Sequence, residues 1–170
     1  MRRIVIVGFM GSGKTTVAKA LAQQLRSSMI DLDSFIIDRT GHSPAEIIQE
    51  NGEDSFRGIE SRTLRYVLEN VEAQVIALGG GTWTIAENRD SLAQYKCQSV
   101  WLDAPFDLCW QRITADGDGA RPLAPNQAAA SELYERRRAG YELAGLRIEI
   151  GDADADQIAV KILTQVSDSD

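Results

Sequence analysis

The 170-residue chain predicts an α/β fold of three layers, with a five-stranded parallel sheet covered on both faces by helices. Five apolar segments of strand length, at 3–7, 28–32, 74–78, 99–102 and 147–150, alternate with stretches of helical periodicity. The runs at 4–7 and 75–78 are apolar throughout, as strands buried on both sides require. Between the first of these and a helical stretch from Val17 lies Gly8-Phe9-Met10-Gly11-Ser12-Gly13-Lys14-Thr15, a G-x-x-x-x-G-K-[ST] match in strand, turn, helix context.

That first loop is a phosphate site on physical grounds. Its glycines let backbone N–H groups wrap a phosphate chain, and the helix that follows adds the positive end of its dipole. Gly11, Ser12, Gly13, Lys14, Thr15 and Thr16 form the expected nucleotide cradle, with Lys14 reaching the terminal phosphates and the Thr15 hydroxyl suited to Mg²⁺. Met1-Arg2-Arg3 before an apolar run is superficially like a secretion signal. The run breaks into Gly-Ser-Gly-Lys with no small-residue cleavage site, so it reads as the first buried strand.

The second strand ends in Asp31-Leu32-Asp33. Alternate residues of a strand face one way, so both carboxylates serve one site if the extension persists; the plainer alternative has Asp33 capping a helix from Ser34. Gly41 stops that helix. Ser43-Pro44-Ala45-Glu46 then gives an N-cap, a first-turn proline and a capping-box glutamate, and Asn51-Gly52 closes the helix so begun. A longer helix is expected over Glu53–Asn70, with Phe56, Ile59 and Val67 inward and Glu60 on the same face as Arg57.

The third strand ends in Gly79-Gly80-Gly81. Three glycines cost chain entropy and supply no packing, so the expected return is an exposed backbone that ligands approach closely; a tight loop needing positive φ is the plainer reading. Residues 115–130 break the helical pattern with Gly117, Gly119, Pro122 and Pro125 around Arg121, and the natural assignment is an active-site lid over about 114–126 rather than a plain surface loop. Helix resumes near Asn126, and the tail 167–170 is expected to fray.

A net charge of −7 and a pI near 4.8 argue against a nucleic-acid partner. Of 18 basic residues only four are lysines, leaving 14 arginines, and an arginine cluster can hold a positive pocket on an acidic protein. No segment approaches the ~20 apolar residues that cross a bilayer, so no membrane role and a cytoplasmic location are expected. Cys97 and Cys109 lack metal-ligand spacing and read as buried free thiols. His42 receives no role, and Trp83 reads as core.

In order along nearly the whole chain, these features resemble the shikimate kinases. The likeness rests on the phosphate loop, Asp31-x-Asp33, Arg39-Thr-Gly-His-Ser-Pro-Ala-Glu-Ile47, Phe56-Arg57-x-x-Glu60, Gly79-Gly80-Gly81, Arg121-Pro122-Leu123 and Arg137-x-x-x-Tyr141. The resemblance implies a P-loop kinase fold of one domain over 1–170, with a substrate-binding helical segment at about 33–61. It implies transfer of the ATP γ-phosphate to the 3-hydroxyl of shikimate in aromatic amino acid biosynthesis. Shikimate would lie among Asp33, Arg57, Gly79, Gly80, Gly81 and Arg137, with Asp33 as base or hydroxyl holder. Lys14 and Arg121 would meet the phosphates, Mg²⁺ would sit on Thr15 and Asp31, and Arg112 would lie over adenine.

The partners so implied are ATP and shikimate, with neither nucleic acid nor membrane, and the chain is expected to be a monomer. Spacing to Tyr141 favours Arg137 within Arg136-Arg137-Arg138, with Arg138 the alternative. The segment 151–156 lacks the proline often found beside the base in relatives. A gluconate kinase and a non-catalytic nucleotide-binding protein are the competing readings; the latter is disfavoured because Lys14, Asp33 and Arg121 are all present.

Overall fold

A computed structural model describes residues 2–115 and 121–167. Its five strands, β1 (Ile4–Val7), β2 (Met29–Asp31), β3 (Val75–Ala77), β4 (Gln98–Asp103) and β5 (Leu146–Glu149), pair in parallel in the order β2-β3-β1-β4-β5. The central strand β1 is flanked by β3 on one side, with Ile4 opposite Val75, and by β4 on the other, with Ile4 opposite Gln98. β1 and β3 are buried along their whole length, which is why both read as unbroken apolar runs.

Parallel pairing requires crossovers, and the helices supply them. They are α1 (Lys14–Gln24), α2 (Leu32–Thr40), α3 (Pro44–Asn51), α4 (Glu53–Asn70), α5 (Ala86–Gln94), α6 (Phe106–Ala115), α7 (Gln127–Tyr141) and α8 (Ala155–Ser167). α1 packs on α8, and α4 gathers α2 and α3. A contiguous apolar core runs through both faces of the sheet. Because β1 and β3 are neighbours, the loops at their carboxyl ends meet at one crevice, the place where open α/β sheets bind ligands.

Local signals in the chain match the helix ends. Gly41 caps α2 at φ 74°, and Ser43 opens α3 with a reciprocal capping box: the Ser43 hydroxyl accepts from the Glu46 N–H, and Glu46 accepts from the Ser43 N–H at 2.6 Å. Asn126 caps α7 by accepting from the Ala129 N–H at 2.9 Å. Elsewhere tertiary packing moved the boundaries. β2 stops at Asp31 and Leu32 already begins α2, so the extension expected through Asp33 does not persist.

Of the expected lid, Thr114 and Ala115 finish α6, 121–126 form an irregular turn, and 116–120 lie outside the described residues. The expected frayed tail begins at Ser167, the last residue of α8; 168–170 are likewise outside them. Cys109 is buried as expected, but Cys97 is only partly so; both are free thiols. Among the described residues no helix is long and apolar enough to cross a membrane.

Ser43→Ala removes one half of the capping box on α3. Its expected effect is a fall in melting temperature of about 2–4 °C, read by thermal denaturation followed by circular dichroism.

Candidate active site

The phosphate loop is shaped by three glycines at positive φ: 145° at Gly8, 76° at Gly11 and 92° at Gly13. Two of them are also pressed against other backbone. A methyl group at Gly11 would lie 2.5 Å from the Cys109 carbonyl oxygen, and one at Gly8 would lie 2.8 Å from that of Leu102. The loop encloses a cavity of about 470 Å³ with the first turn of α1. Lys14 folds back across the loop, donating to the Phe9 carbonyl at 2.8 Å. Burial lowers its amine to a pKa of about 8, against the opposing pull of Asp33, Cys109 and Asp31.

Arg112 lines the same cavity, but its guanidinium is held on the loop itself, donating to the Gly11 carbonyl at 3.2 Å. The far wall comes from Ile150, Ala153, Asp154, Ala155 and Ile158 at the end of β5 and the start of α8. Sequence reading missed these five as site residues. Small apolar and acidic side chains carry no motif, and only the packing of α8 against α1 brings them there.

Asp31 and Asp33 divide the work between them. Asp31, not Asp33, is the N-cap of α2: its Oδ1 accepts from the Ser34 N–H at 3.1 Å and its Oδ2 accepts from the Thr15 hydroxyl at 2.6 Å. Asp33 sits in the first turn of α2 and lines a second, smaller cavity that Asp31 does not line, so the strand-to-helix turn sends the two carboxylates to different partners. Asp33 Oδ1 is buried without a hydrogen-bond partner. Burial, reinforced by Glu60 and Asp31, raises its pKa to about 6, against Lys14 and Arg57.

The triple glycine owes little to backbone conformation, since none of the three has positive φ. Each makes room for a different charged side chain. A methyl group at Gly79 would lie 2.8 Å from both Asp33 Oδ1 and Glu60 Oε1, one at Gly80 would lie 3.2 Å from Arg137 Nη1, and one at Gly81 would lie 2.5 Å from the centre of the Arg57 guanidinium. Gly80 also backs onto the phosphate loop, 3.6 Å from the Met10 amide nitrogen by the same measure. The close approach expected here is therefore made first by the protein's own side chains.

Glu60 is 0% exposed and accepts from Arg57 Nη1 at 2.7 Å and from the Thr82 hydroxyl at 2.6 Å. Arg57 is held from its other edge by Glu53, at 3.1 Å. Of the three consecutive arginines, Arg136 is exposed and Arg138 is bound to Asp103 at 2.8 Å. Arg137, 7% exposed, is the one that lines the cavity, and no carboxylate among the described residues is within ion-pair distance of it. Tyr141 donates to the Gly80 carbonyl and fixes the glycine run against α7. Trp83 is core, its indole N–H donating to the Gly140 carbonyl, and His42 is an exposed turn residue.

These groups surround a cavity of about 130 Å³ beside the phosphate loop, with Met10 shared between loop and cavity. Arg121 and Leu123 close one side of it, and Ile48 and Phe56 give it an apolar wall. Three guanidiniums, of Arg57, Arg121 and Arg137, one carboxylate with a free acceptor and a glycine floor suit a small anion bearing hydroxyl groups.

Comparison with known proteins agrees with that chemistry. The family model described as shikimate kinase matches residues 10–167. A shikimate kinase of Sulfurihydrogenibium sp. is 34% identical over 167 residues, covering 98% of each chain. The solved shikimate kinase from Acinetobacter baumannii in complex with shikimate superposes with a TM-score of 0.90 at 33% identity, covering 99% of this chain and 94% of that one. A gluconokinase from Sinorhizobium meliloti superposes with a TM-score of 0.66 at 17% identity, covering 99% and 94%, and shares the fold.

Asp33 gives a stability signature whose sign follows from its raised pKa. The folded state holds this proton up to pH about 6 whereas the unfolded chain releases it near 3.8, so the ionised carboxylate opposes folding above that window. Asp33→Asn is therefore expected to melt above the wild-type protein at pH 7, with the difference shrinking as pH falls through 6 towards 4. Calorimetry across that range measures it, and equal melting temperatures at pH 7 would contradict the burial of this charge.

Proposed function

The chain belongs to the shikimate kinase family, and on that premise we propose that it transfers the γ-phosphate of ATP to the 3-hydroxyl of shikimate, giving shikimate 3-phosphate and ADP. The observation that carries the reading is the sharing of one crevice by the phosphate loop and a cavity built from Asp33, Arg57 and Arg137.

In this reading the shikimate carboxylate bridges Arg57 and Arg137, whose planar forks pair with both its oxygens. Arg137 is the stronger attractor, since no carboxylate among the described residues neutralises it. The ring lies over the Gly79–Gly81 backbone, and its hydroxyls face Asp33 Oδ1, the acceptor left without a partner. With a pKa of about 6, Asp33 is ionised at neutral pH; it accepts a hydrogen bond from the attacking hydroxyl and is placed to take its proton.

The backbone of Gly11–Thr16 cradles the β- and γ-phosphates. Lys14, released from the Phe9 carbonyl, brings its charge to them, and Arg121 reaches the moving phosphoryl group from the substrate side. Catalysis is then in-line positioning with charge neutralisation, without a covalent enzyme intermediate.

Thr15 Oγ1 and Asp31 Oδ2, 2.6 Å apart, are the hard oxygen donors that fit Mg²⁺, which is typically held by one or two protein groups plus phosphates and water. When bound with ATP, Mg²⁺ offsets the charge on the β- and γ-phosphate oxygens. Among the described residues no group of three or more His, Cys, Asp or Glu side chains is placed to hold a metal ion. A cytoplasmic location belongs to the same proposal and is supported by the two free thiols.

A coupled ADP-release assay with ATP and Mg²⁺ tests the reading: turnover is expected with shikimate and absent with gluconate, and the reverse preference would overturn it. Asp33→Asn should lower kcat by about 10²-fold or more while ATP affinity stays near the wild-type value. Arg57→Ala should raise the KM for shikimate by roughly tenfold, the loss of one charge-assisted contact, and leave the KM for ATP unchanged.

A further inference from the structure

Three arginines stand in a row on α7, and only the middle one lines the substrate cavity. We propose that Asp103 is a positioning residue for this cavity: by clamping Arg138 against the sheet it determines that Arg137, and not its neighbour, enters the site. The identity of the anion rests on the shikimate kinase reading; the clamp itself does not.

Asp103 ends β4 and is 9% exposed. Its Oδ1 accepts from Arg138 Nη1 at 2.8 Å and its Oδ2 from Arg138 Nη2 at 3.3 Å, so the guanidinium is gripped at two points. The same carboxylate takes Arg147 of β5, Nε at 2.9 Å and Nη2 at 2.6 Å. Both guanidiniums lie 5.1 Å from the Trp101 ring centre, and Trp101 stacks on Tyr141 at 6.1 Å. Arg138 Nη1 also donates to the Tyr134 hydroxyl at 3.1 Å, which donates to the Ala104 carbonyl at 2.9 Å.

Tyr134, Arg138 and Tyr141 recur at i, i+4 and i+7, so one stripe of α7 is pinned to the end of β4 and to the glycine run. Successive helical residues differ by about 100°, so pinning Arg138 there sets the direction of Arg137, towards Gly80. The clamp also separates the charges. Arg138 is paired with a carboxylate that it shares with Arg147, while Arg137 has none within ion-pair distance among the described residues, although the two are adjacent in the chain. Had Asp103 been absent, Arg138 would keep only the Tyr134 hydroxyl and lose its carboxylate partner one position from Arg137, and α7 would lack the contact that distinguishes them.

Asp103→Asn is the direct test, with Arg138→Met as the second variant should the first fail to fold. Each is expected to raise the KM for shikimate roughly tenfold, the equivalent of one charge-assisted hydrogen bond, while kcat and the KM for ATP stay within about twofold. The double variant should match either single rather than multiply them, because both remove one contact. A folded variant with an unchanged KM for shikimate, or with both KM values raised alike, would overturn the proposal. A crystal structure of Asp103→Asn reads the clamp without turnover: Arg137 is expected to leave Gly80, and an undisturbed α7 would overturn the proposal. Wild-type enzyme inactive on shikimate would fell the function reading alone, since that structure still judges the clamp.

Discussion

A carboxylate with no exposure to water, Glu60, organises this site. Its two oxygens are fully committed, one to Arg57 and one to Thr82, and that commitment ties α4 to the loop after β3. Breaking such a buried pair from one side leaves an uncompensated charge, which costs about 3–5 kcal/mol in general. The geometry around it follows. Gly79 must lack a side chain because Glu60 and Asp33 occupy that space, and Arg57 is oriented by Glu60 on one edge and Glu53 on the other.

The neighbouring charges are less comfortable, and their discomfort is functional. Asp33 carries an acceptor atom without a partner, beside a second buried carboxylate. Lys14 is desolvated and parked on a carbonyl, and burial presses the Arg137 guanidinium below its ordinary pKa range. Each group opposes folding to some degree and each is relieved by a ligand of the right charge. Such a site is preorganised for phosphates on one side and a hydroxylated acid on the other, and the apolar sheet beneath it supplies the stability that the charges withhold.

Much of the fold was legible in the chain because its signals are local. The phosphate loop, the capping box at Ser43, the stops at Gly41 and Gly52 and the long helix Glu53–Asn70 each depend on residues within one or two turns of each other. The site was legible as a set of residues but less so as an arrangement. The chain alone leaves Asp33 between a continuing strand and a helix cap, whereas Asp31 does the capping and Asp33 stands within the first turn. For the triple glycine, the positive-φ reading fails, and a second reason appears that the chain does not show: side chains from α2, α4 and α7 claim the space a Cβ would fill.

By itself, then, the order of amino acids determined the fold class, the phosphate-binding turn and the family, since these reside in short patterns whose physics acts along the chain. Only the tertiary structure decided that Asp31 and not Asp33 caps α2, what holds Arg138 away from Arg137, and which residues after β5 wall the nucleotide side. Those choices are set by contacts between elements far apart in sequence, such as Arg138 with Asp103 and Gly81 with Arg57. Neighbouring positions offer the same side-chain chemistry, so only the direction in which packing points each one separates them.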